Sequence, residues 1–346
     1  MGPLDRVRAL GLRLLGPAGA SMWVGREKRA AFLGVGMLAF SLAVSVTYPL
    51  AMFALGPIVY GVPHIVSDVR YLLARPGLSK RPLFLGAVIT GCALGALGMG
   101  VKGALVGAAL ALAASKASVG RKVVGIGAAA GLFALCRWAG WYSDLAFVHL
   151  HNFVGVTIWL LWRRRESRAH WLFLALFFGA ILAIAAGAAG PILERTNGLF
   201  APWTDLTFRE IARGLSPPRS GVWAERLTVI FVFAQAAHYV VWLRLIPEDD
   251  RPGEAPRSYR QTYRAMAADV GGVVLWMGFV AALVFGVWAF ASPGGARDAY
   301  LKVAFFHGHL EIIAIAVLWG ERVLPVGIGK AKRGVADVGM VPVRGG

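Results

Sequence analysis

The sequence predicts an all-α protein, a polytopic bundle of about ten transmembrane helices. The chain of 346 residues is 58% hydrophobic and has a mean hydropathy of +0.64. Only 16% of its residues are charged, against roughly 25% in soluble domains. A helix needs roughly 20 apolar residues to cross a bilayer core about 30 Å thick, and the apolar runs of this chain approach that length. This composition excludes a disordered chain, a nucleic-acid-binding arm and an ordinary cytosolic enzyme.

Ten apolar segments meet or approach the length of a membrane span. The fourth is short, and we expect it to tilt little or to thin the bilayer locally. The predicted spans are residues 31–47, 49–74, 82–101, 103–116, 122–138, 143–162, 170–190, 223–245, 266–291 and 300–319.

The basic residues alternate along the chain in step with these spans. A net charge of +18 would indicate a nucleic-acid partner in a soluble protein, but here the basic residues lie between apolar runs. If the N-terminus is inside, 27 of the 36 Lys and Arg residues fall on inner connections and nine on outer ones. The positive-inside rule then places both termini in the cytoplasm, with no nucleic-acid partner. The densest inner cluster is Arg163-Arg164-Arg165, whereas five of the nine outer basic residues lie within 191–226.

The chain divides into three parts. Residues 1–30 are predicted to be a cytoplasmic interfacial segment, in which Leu4, Val7 and Leu14 share one face of a short helix on the membrane surface. Residues 31–320 form a single transmembrane domain, and residues 321–346 a flexible cytoplasmic tail.

The longest outer connection, residues 191–222, contains one clear helix signal. Thr207-Phe208-Arg209-Glu210 has the pattern of a capping box. We expect a helix of about two turns that ends near Gly214, before two prolines. This helix is predicted to lie at the interface, or to form a lid over a site below it.

Histidines are concentrated in four of the predicted spans. Polar groups inside a membrane are costly, so they indicate a function. His170 lies at a span boundary, but the other six are inside spans at heights that agree to within roughly 5–10 Å. The four helices are therefore expected to bring imidazoles together near the bilayer centre. These six predicted metal ligands are His64, His149, His151, His238, His307 and His309.

Each of these four helices also carries a polar companion three or four positions from a histidine, which places it on the same helical face. An acid or amide beside a metal-bound imidazole fixes the tautomer of that ring. Asp68 and Glu311 are predicted to orient imidazoles or to move protons. Asn152, Gln235 and Tyr239 are predicted to lie around the cofactor.

In each His-x-His pair the second ring is turned about 200° from the first on a regular helix. Only one member of the pair at 149 and 151, and one of the pair at 307 and 309, can therefore reach a shared ion. Gly308 would permit a distortion that changes this result. The spacing leaves open which member faces inward.

Imidazole-rich ligation without thiolate suits iron, copper or zinc. We predict Fe(II), because neutral histidines do not cancel the charge of the ion and leave room at it for O2 or a substrate. Zn and Cu are the alternative ions. Haem held axially by two histidines is an alternative, but it leaves the other histidines unexplained. A proton-coupled transporter with breaks near Pro63 and Gly308 is another. Independent packing of the histidines is the third.

One segment resembles a known family. Residues 60–68, Tyr-Gly-Val-Pro-His-Ile-Val-Ser-Asp, resemble the G-[IV]-P-H-G-x-x-D segment of the Brp/Blh-type β-carotene 15,15′-dioxygenases. The resemblance implies a polytopic, all-helical enzyme of bacteria or archaea. It also implies that histidines from several spans hold a non-haem iron, which cleaves the central double bond of β-carotene with O2. Residues 149–155 are loosely similar to a second histidine-containing span of that family.

The chain also departs from this pattern. Ile65 replaces the glycine after the first histidine. The family's W-H-x-x-x-H span falls near Gln235–Tyr239, where only His238 is present, with Ala234 four residues earlier. Histidines also occur at 307 and 309. The resemblance implies a metal-ligand role for His64 and, more loosely, for His151 and His238.

Together these features predict an integral protein of the bacterial inner membrane. Its predicted activity is that of a histidine-ligated non-haem iron oxygenase. Its partners would be the lipid bilayer, O2 and a long apolar small molecule, carotenoid-like or another lipid.

Overall fold

The chain is all-α, as predicted. The computed structural model describes residues 2–14, 16–17, 23, 25–162, 168–196, 207–250 and 256–323, and this part of the chain contains no strand. Its helices are α1 (Pro3–Leu14), α2 (Arg26–Thr47), α3 (Pro49–Ala74), α4 (Pro82–Met99), α5 (Val101–Ala113), α6 (Val119–Ala139), α7 (Trp141–Trp162), α8 (His170–Ala185), α9 (Gly190–Thr196), α10 (Phe208–Gly214), α11 (Val222–Asp249), α12 (Tyr259–Val270), α13 (Gly272–Ala291), α14 (Pro293–Ala304) and α15 (Phe306–Gly320).

Eight of the described spans are long and apolar enough to cross a bilayer, which makes this an integral membrane protein. The predicted fourth span, 103–116, corresponds to α5, which has only 13 residues. The predicted seventh span, 170–190, is bent by 77° between α8 and α9. The bent pair raises the count to nine, so the expected number of about ten is close but not reached.

The predicted ninth span begins too early. Gly271 has a φ of 87°, a left-handed conformation that favours glycine, and it separates α12 from α13. Residues 266–270 therefore belong to the polar helix α12, and the membrane helix begins at Gly272.

The core surrounds α11, which is the most buried of the long helices. It packs against α2, α7 and α8, and its apolar side chains belong to the main hydrophobic cluster. In contrast, very few residues of α6 and α13 are buried, as expected for helices that face lipid. This arrangement places the residues of α11, His238 among them, at the centre of the bundle.

Ion pairs join the predicted inner connections at one end of the bundle. Residues that were predicted to lie on the same side of the membrane therefore contact one another at this end. That this end faces the cytoplasm is still a prediction. The pairs are Arg29–Glu248, Arg70–Asp269 at 2.8 Å, Arg75–Asp250 at 2.9 Å and Arg81–Glu321 at 2.6 Å.

The two short helices predicted outside the spans are both present. The apolar residues of α1 that were predicted to face the membrane are exposed. The capping box of α10 is complete, with Thr207 and Glu210 each accepting a hydrogen bond from the other's backbone amide. The Arg163-Arg164-Arg165 cluster, residues 197–206 and residues 324–346 lie outside the described residues.

Candidate metal centre

Four of the six predicted histidine ligands meet at one point inside the bundle. They are His64 on α3, His151 on α7, His238 on α11 and His307 near the start of α15. The Nε2 atoms of His64 and His238 are 3.1 Å apart, and those of His151 and His307 are 3.2 Å apart. Four helices distant in sequence therefore contribute one imidazole each.

The two imidazole pairs form a single cluster. The ring centroids of His64 and His307 are 5.2 Å apart, and those of His151 and His238 are 4.7 Å apart. Ligand atoms of His64, His238 and His307 all lie within 4.8 Å of one another. A single ion is therefore within reach of imidazoles from several spans.

Both predicted acids belong to the same cluster. Asp68 Oδ2 is 3.3 Å from His64 Nε2, and both side chains are buried. The two oxygens of Glu311 lie 3.0 Å from His151 Nδ1 and 3.7 Å from His238 Nε2. Glu311 thus links the two imidazole pairs from α15, the helix that also carries His307.

The donor atoms fit a divalent cation. Metal–nitrogen bonds are about 2.0–2.1 Å long, so neighbouring ligand atoms on one ion are roughly 3 Å apart, as in both imidazole pairs. Four candidate donor atoms are buried without a hydrogen-bond partner among the described residues: both oxygens of Asp68 and both oxygens of Glu311. Close approach without hydrogen-bond alignment is expected of groups that point at a shared ion.

Charge balance supports the same conclusion. No described Lys or Arg forms an ion pair with Asp68 or Glu311; their close partners are the three histidines just given. Burying two carboxylates without a counter-charge is costly. A divalent cation bound by neutral imidazoles would supply the missing positive charge.

A helix break orients His307. The last predicted span consists of α14 and α15, which meet at Phe305. The Nδ1–H group of His307 donates a hydrogen bond of 2.5 Å to the carbonyl of Ala304, the last residue of α14. Because Nδ1 carries the proton, Nε2 keeps its lone pair and faces His151. Such an outer hydrogen bond fixes the tautomer of a metal-ligating imidazole.

Local sequence also distorts α3 around His64. Widened, π-helical turns occupy Pro57–Gly61 and Val69–Ala74, on either side of the histidine. Such turns are rare and occur mainly at functional sites. Gly61 leaves space for the hydroxyl of Tyr300, which a Cβ atom at this position would meet.

The other two predicted ligands lie outside the cluster. His149 donates from Nε2 to the carbonyl of Leu215 at 2.8 Å, and His309 donates to the carbonyl of Gly100 at 3.1 Å. Each His-x-His pair therefore contributes one ring, as the 200° rotation requires. His151 and His307 are the inward members.

The residues predicted around the cofactor differ in their positions. The ring of Tyr239 lies 5.5 Å from that of His64 and 6.2 Å from that of His238. Asn152 is buried, but its amide donates to the Val148 carbonyl of its own helix at 3.2 Å. Gln235 is partly buried, nearly one turn before His238.

A glycine allows close packing beside the cluster, as predicted for Gly155. A Cβ atom on Gly155 would lie 3.0 Å from His238 Nδ1 and 3.1 Å from Trp242 Nε1. The Trp242 ring lies 5.9 Å from that of His64 and is fully buried. Trp242 lies one helical turn after His238 on the same helix, so both side chains reach Gly155.

Comparison of the chain with models of protein families, with curated proteins and with solved structures finds no match.

Proposed function

We propose that this protein is a membrane-embedded, non-haem metal oxygenase that acts on a long apolar substrate. The observation that carries the proposal is the convergence of four imidazoles, two of them buried and two partly buried, with two buried carboxylates that lack a described basic partner. A redox-active metal, in our proposal Fe(II), would supply O2 activation when bound. Transition metals with imidazole and carboxylate ligands and open positions are typical of non-haem oxygenases.

The side chains of this chain would bind and orient the metal. His64, His151, His238 and His307 would hold it, and Glu311 would fix the rotation of His151 or join the ligands. His64, His238, Asp68 and Glu311 are buried, so electrostatic interactions among them are strong. Asp68 and Glu311 are also placed to hold a proton beside the imidazoles.

The cluster geometry is unfavourable for haem. Two axial imidazoles would need nitrogen atoms roughly 4 Å apart on opposite sides of a flat macrocycle. The Nε2 atoms of the two pairs approach to 3.1 and 3.2 Å, which leaves no room for the macrocycle between them.

A small apolar cavity beside the cluster would serve as part of the entrance for an apolar substrate. It has a volume of about 100 Å³ and is lined by side chains of α2, α3 and α11, including Tyr60 and Tyr239. The rings of these two tyrosines are 6.0 Å apart; Tyr60 is 38% exposed, whereas Tyr239 is 6% exposed. Aromatic side chains thus lead from the outer surface of the bundle to His64. The resemblance of residues 60–68 to the Brp/Blh segment favours a carotenoid.

The test is oxygen consumption by iron-loaded protein. The full chain is loaded anaerobically with Fe(II) and reconstituted in nanodiscs that contain β-carotene as the probe. We expect O2 uptake together with loss of the polyene, abolished by His151→Gln and retained by the matched variant His149→Gln. Iron-loaded protein that consumes no O2 would exclude the carotenoid activity. A chain that binds no transition metal would exclude the metalloenzyme.

One observation favours a second candidate, a proton-coupled transporter. The imidazoles and carboxylates lie 3.0 to 3.7 Å apart in a continuous chain, as a proton relay requires. The two candidates differ in liposomes. A transporter would carry protons without bound metal, and Asp68→Asn would stop the flux.

A further inference from the structure

We propose that a second site, at the end of the bundle where α7 and α11 begin, binds the phosphate of an anionic lipid headgroup. A cavity of about 650 Å³ lies between α10, the turn that follows it and the first residues of α7 and α11. The ionisable side chains that line it are Arg209, Arg213, Arg219 and a single acid, Glu225. The lining therefore carries an excess of positive charge.

The arginines have no carboxylate partner. No ion pair of Arg209, Arg213 or Arg219 occurs among the described residues. The acid of the same helix, Glu210, is committed to the capping box, where its carboxylate accepts hydrogen bonds from the amide and hydroxyl of Thr207 at 3.0 and 2.7 Å. These hydrogen bonds lower the pKa of Glu210, so it stays ionised in the cap. The charge of Arg213 also acts on Glu210, but none of the three guanidinium groups forms a described ion pair, so each can donate to an anion.

The spacing of two of the arginines is unfavourable without an anion. Arg209 and Arg213 are four residues apart on α10, and both line the cavity. Like charges at this spacing destabilise a helix. A phosphate between them would turn this repulsion into paired, charge-assisted hydrogen bonds.

The charge pattern of the sequence points to the same residues. The positive-inside rule accounts for most basic residues, but five of the nine on the predicted outer side lie within 191–226. The three cavity arginines belong to these five. Basic residues on the outer side are not expected from the positive-inside rule. A local ligand therefore explains these arginines better than the orientation of the chain does.

The cavity is built on a packed platform rather than on a free loop. Ile211 and Leu215 pack in a cluster with Phe53 and Phe231. The carbonyl of Leu215 accepts the hydrogen bond from His149. This contact gives the outward-facing histidine a structural role, because it ties the arginine-bearing segment to α7.

The surroundings of the cavity favour a lipid over free phosphate. Trp141, the first residue of α7, lines it and is 49% exposed. Trp223, in the first turn of α11, is 51% exposed nearby. Exposed tryptophans at the ends of membrane helices mark the headgroup level. A phosphate held here would leave its acyl chains beside the exposed sides of the two helices.

The test is lipid binding by the full chain in detergent, with native mass spectrometry counting the lipids bound. The probes are phosphatidylglycerol and, as a headgroup control, phosphatidylcholine. We expect preferential retention of phosphatidylglycerol, weakened roughly tenfold in Arg209→Gln/Arg213→Gln because two charge-assisted contacts are lost. The matched control is Arg260→Gln/Arg264→Gln, an exposed pair with the same spacing on α12. Its affinity should change little.

Four outcomes would overturn the proposal. Equal loss of phosphatidylglycerol binding in both double variants would show an effect of general surface charge rather than a specific site. No loss of binding in either double variant would show that the cavity is not a site. Competition by inorganic phosphate as strong as by phosphatidylglycerol would assign the cavity to a soluble anion. If Arg209→Gln/Arg213→Gln fails to fold, Arg219→Gln removes a guanidinium outside the helix and should weaken binding in the same direction. Unchanged binding in that variant would also overturn the proposal.

Discussion

The Nε2 atoms of His151 and His307 lie 3.2 Å apart, although 156 residues separate them in the sequence. His307 has its other nitrogen bonded to the Ala304 carbonyl, and His151 has its other nitrogen 3.0 Å from Glu311. Each ring is therefore held from behind while its Nε2 atom faces a common point. His64 and His238 repeat the close approach of Nε2 atoms, at 3.1 Å, and the predictions below follow from these two pairs.

The His-x-His pairs provide the sharpest internal comparison. His151→Gln should lower metal affinity by tenfold or more, because losing a ligand should cost at least as much as losing an outer-shell partner, roughly 10- to 100-fold. His149→Gln, two residues away, should retain the metal, because its ring lies outside the cluster, against the Leu215 carbonyl and Phe231. The number of metal ions per chain, measured by inductively coupled plasma mass spectrometry, checks both variants. Equal loss in the two variants would place the ion elsewhere.

Asp68→Asn should have opposite effects on the metal-bound and metal-free protein. The variant keeps the shape of the side chain but removes a buried charge that lies near Glu311. The metal-free variant should be more stable than metal-free wild type by about 1 kcal/mol, since one unpaired buried charge is gone. The metal-bound variant should be less stable, since a negative charge close to the cation is lost. Thermal unfolding with and without metal measures both, and a shift of the same sign in both states would contradict the assignment.

Gly155→Ala should disturb the cluster through its neighbours. The new methyl group would press on His238 and Trp242, and would force a shift of a few tenths of an ångström. We expect metal affinity to fall roughly 10-fold, as for the loss of an outer-shell partner. Gly127→Ala on α6 is the matched control, because nothing lies within 4 Å of its Cβ position. If both variants bind metal like wild type, close packing at Gly155 does not support the site.

Glu321 should make stability depend on pH at the end of α15. Although burial opposes it, hydrogen bonds from Arg81 and the Lys116 amide lower the pKa of Glu321 below its ordinary value of 4.5. Its contribution is then present above the unfolded pKa and is lost as pH falls through the lowered folded pKa. Wild type should exceed Glu321→Gln by roughly 0.5–1 kcal/mol at neutral pH and converge with it in acid. Unfolding curves across this range check the sign, and a gap that widens in acid would contradict it.

The sequence predicted the membrane spans and the helices that carry the site because both depend on local patterns. Hydropathy located the eight long helices, and histidine heights at 1.5 Å per residue identified four helices that do converge. The predicted count of ten spans is too high, because α5 is too short to cross a bilayer and a bend separates α8 from α9. The glycine conformation at 271, which ends α12, has no hydropathy signal.

The choice within each His-x-His pair could not be read from the sequence. Helix periodicity shows that only one ring of each pair faces the site, but the rotation of the helix is set by tertiary contacts. On α7 the contact of His149 with Leu215 helps to set it, and on α15 the break at Phe305 does. His149 and His307 each form a hydrogen bond with a backbone carbonyl group. Every residue carries such a group, so these contacts leave no pattern in the sequence.

The most direct test of the central claim is the metal content of the full chain, purified anaerobically and without chelators. The account predicts about one tightly bound transition metal per chain, lost from His64→Ala, His151→Ala, His238→Ala and His307→Ala and kept by His149→Ala and His309→Ala. No stoichiometric metal in the wild-type protein, even after loading with Fe(II), would contradict it.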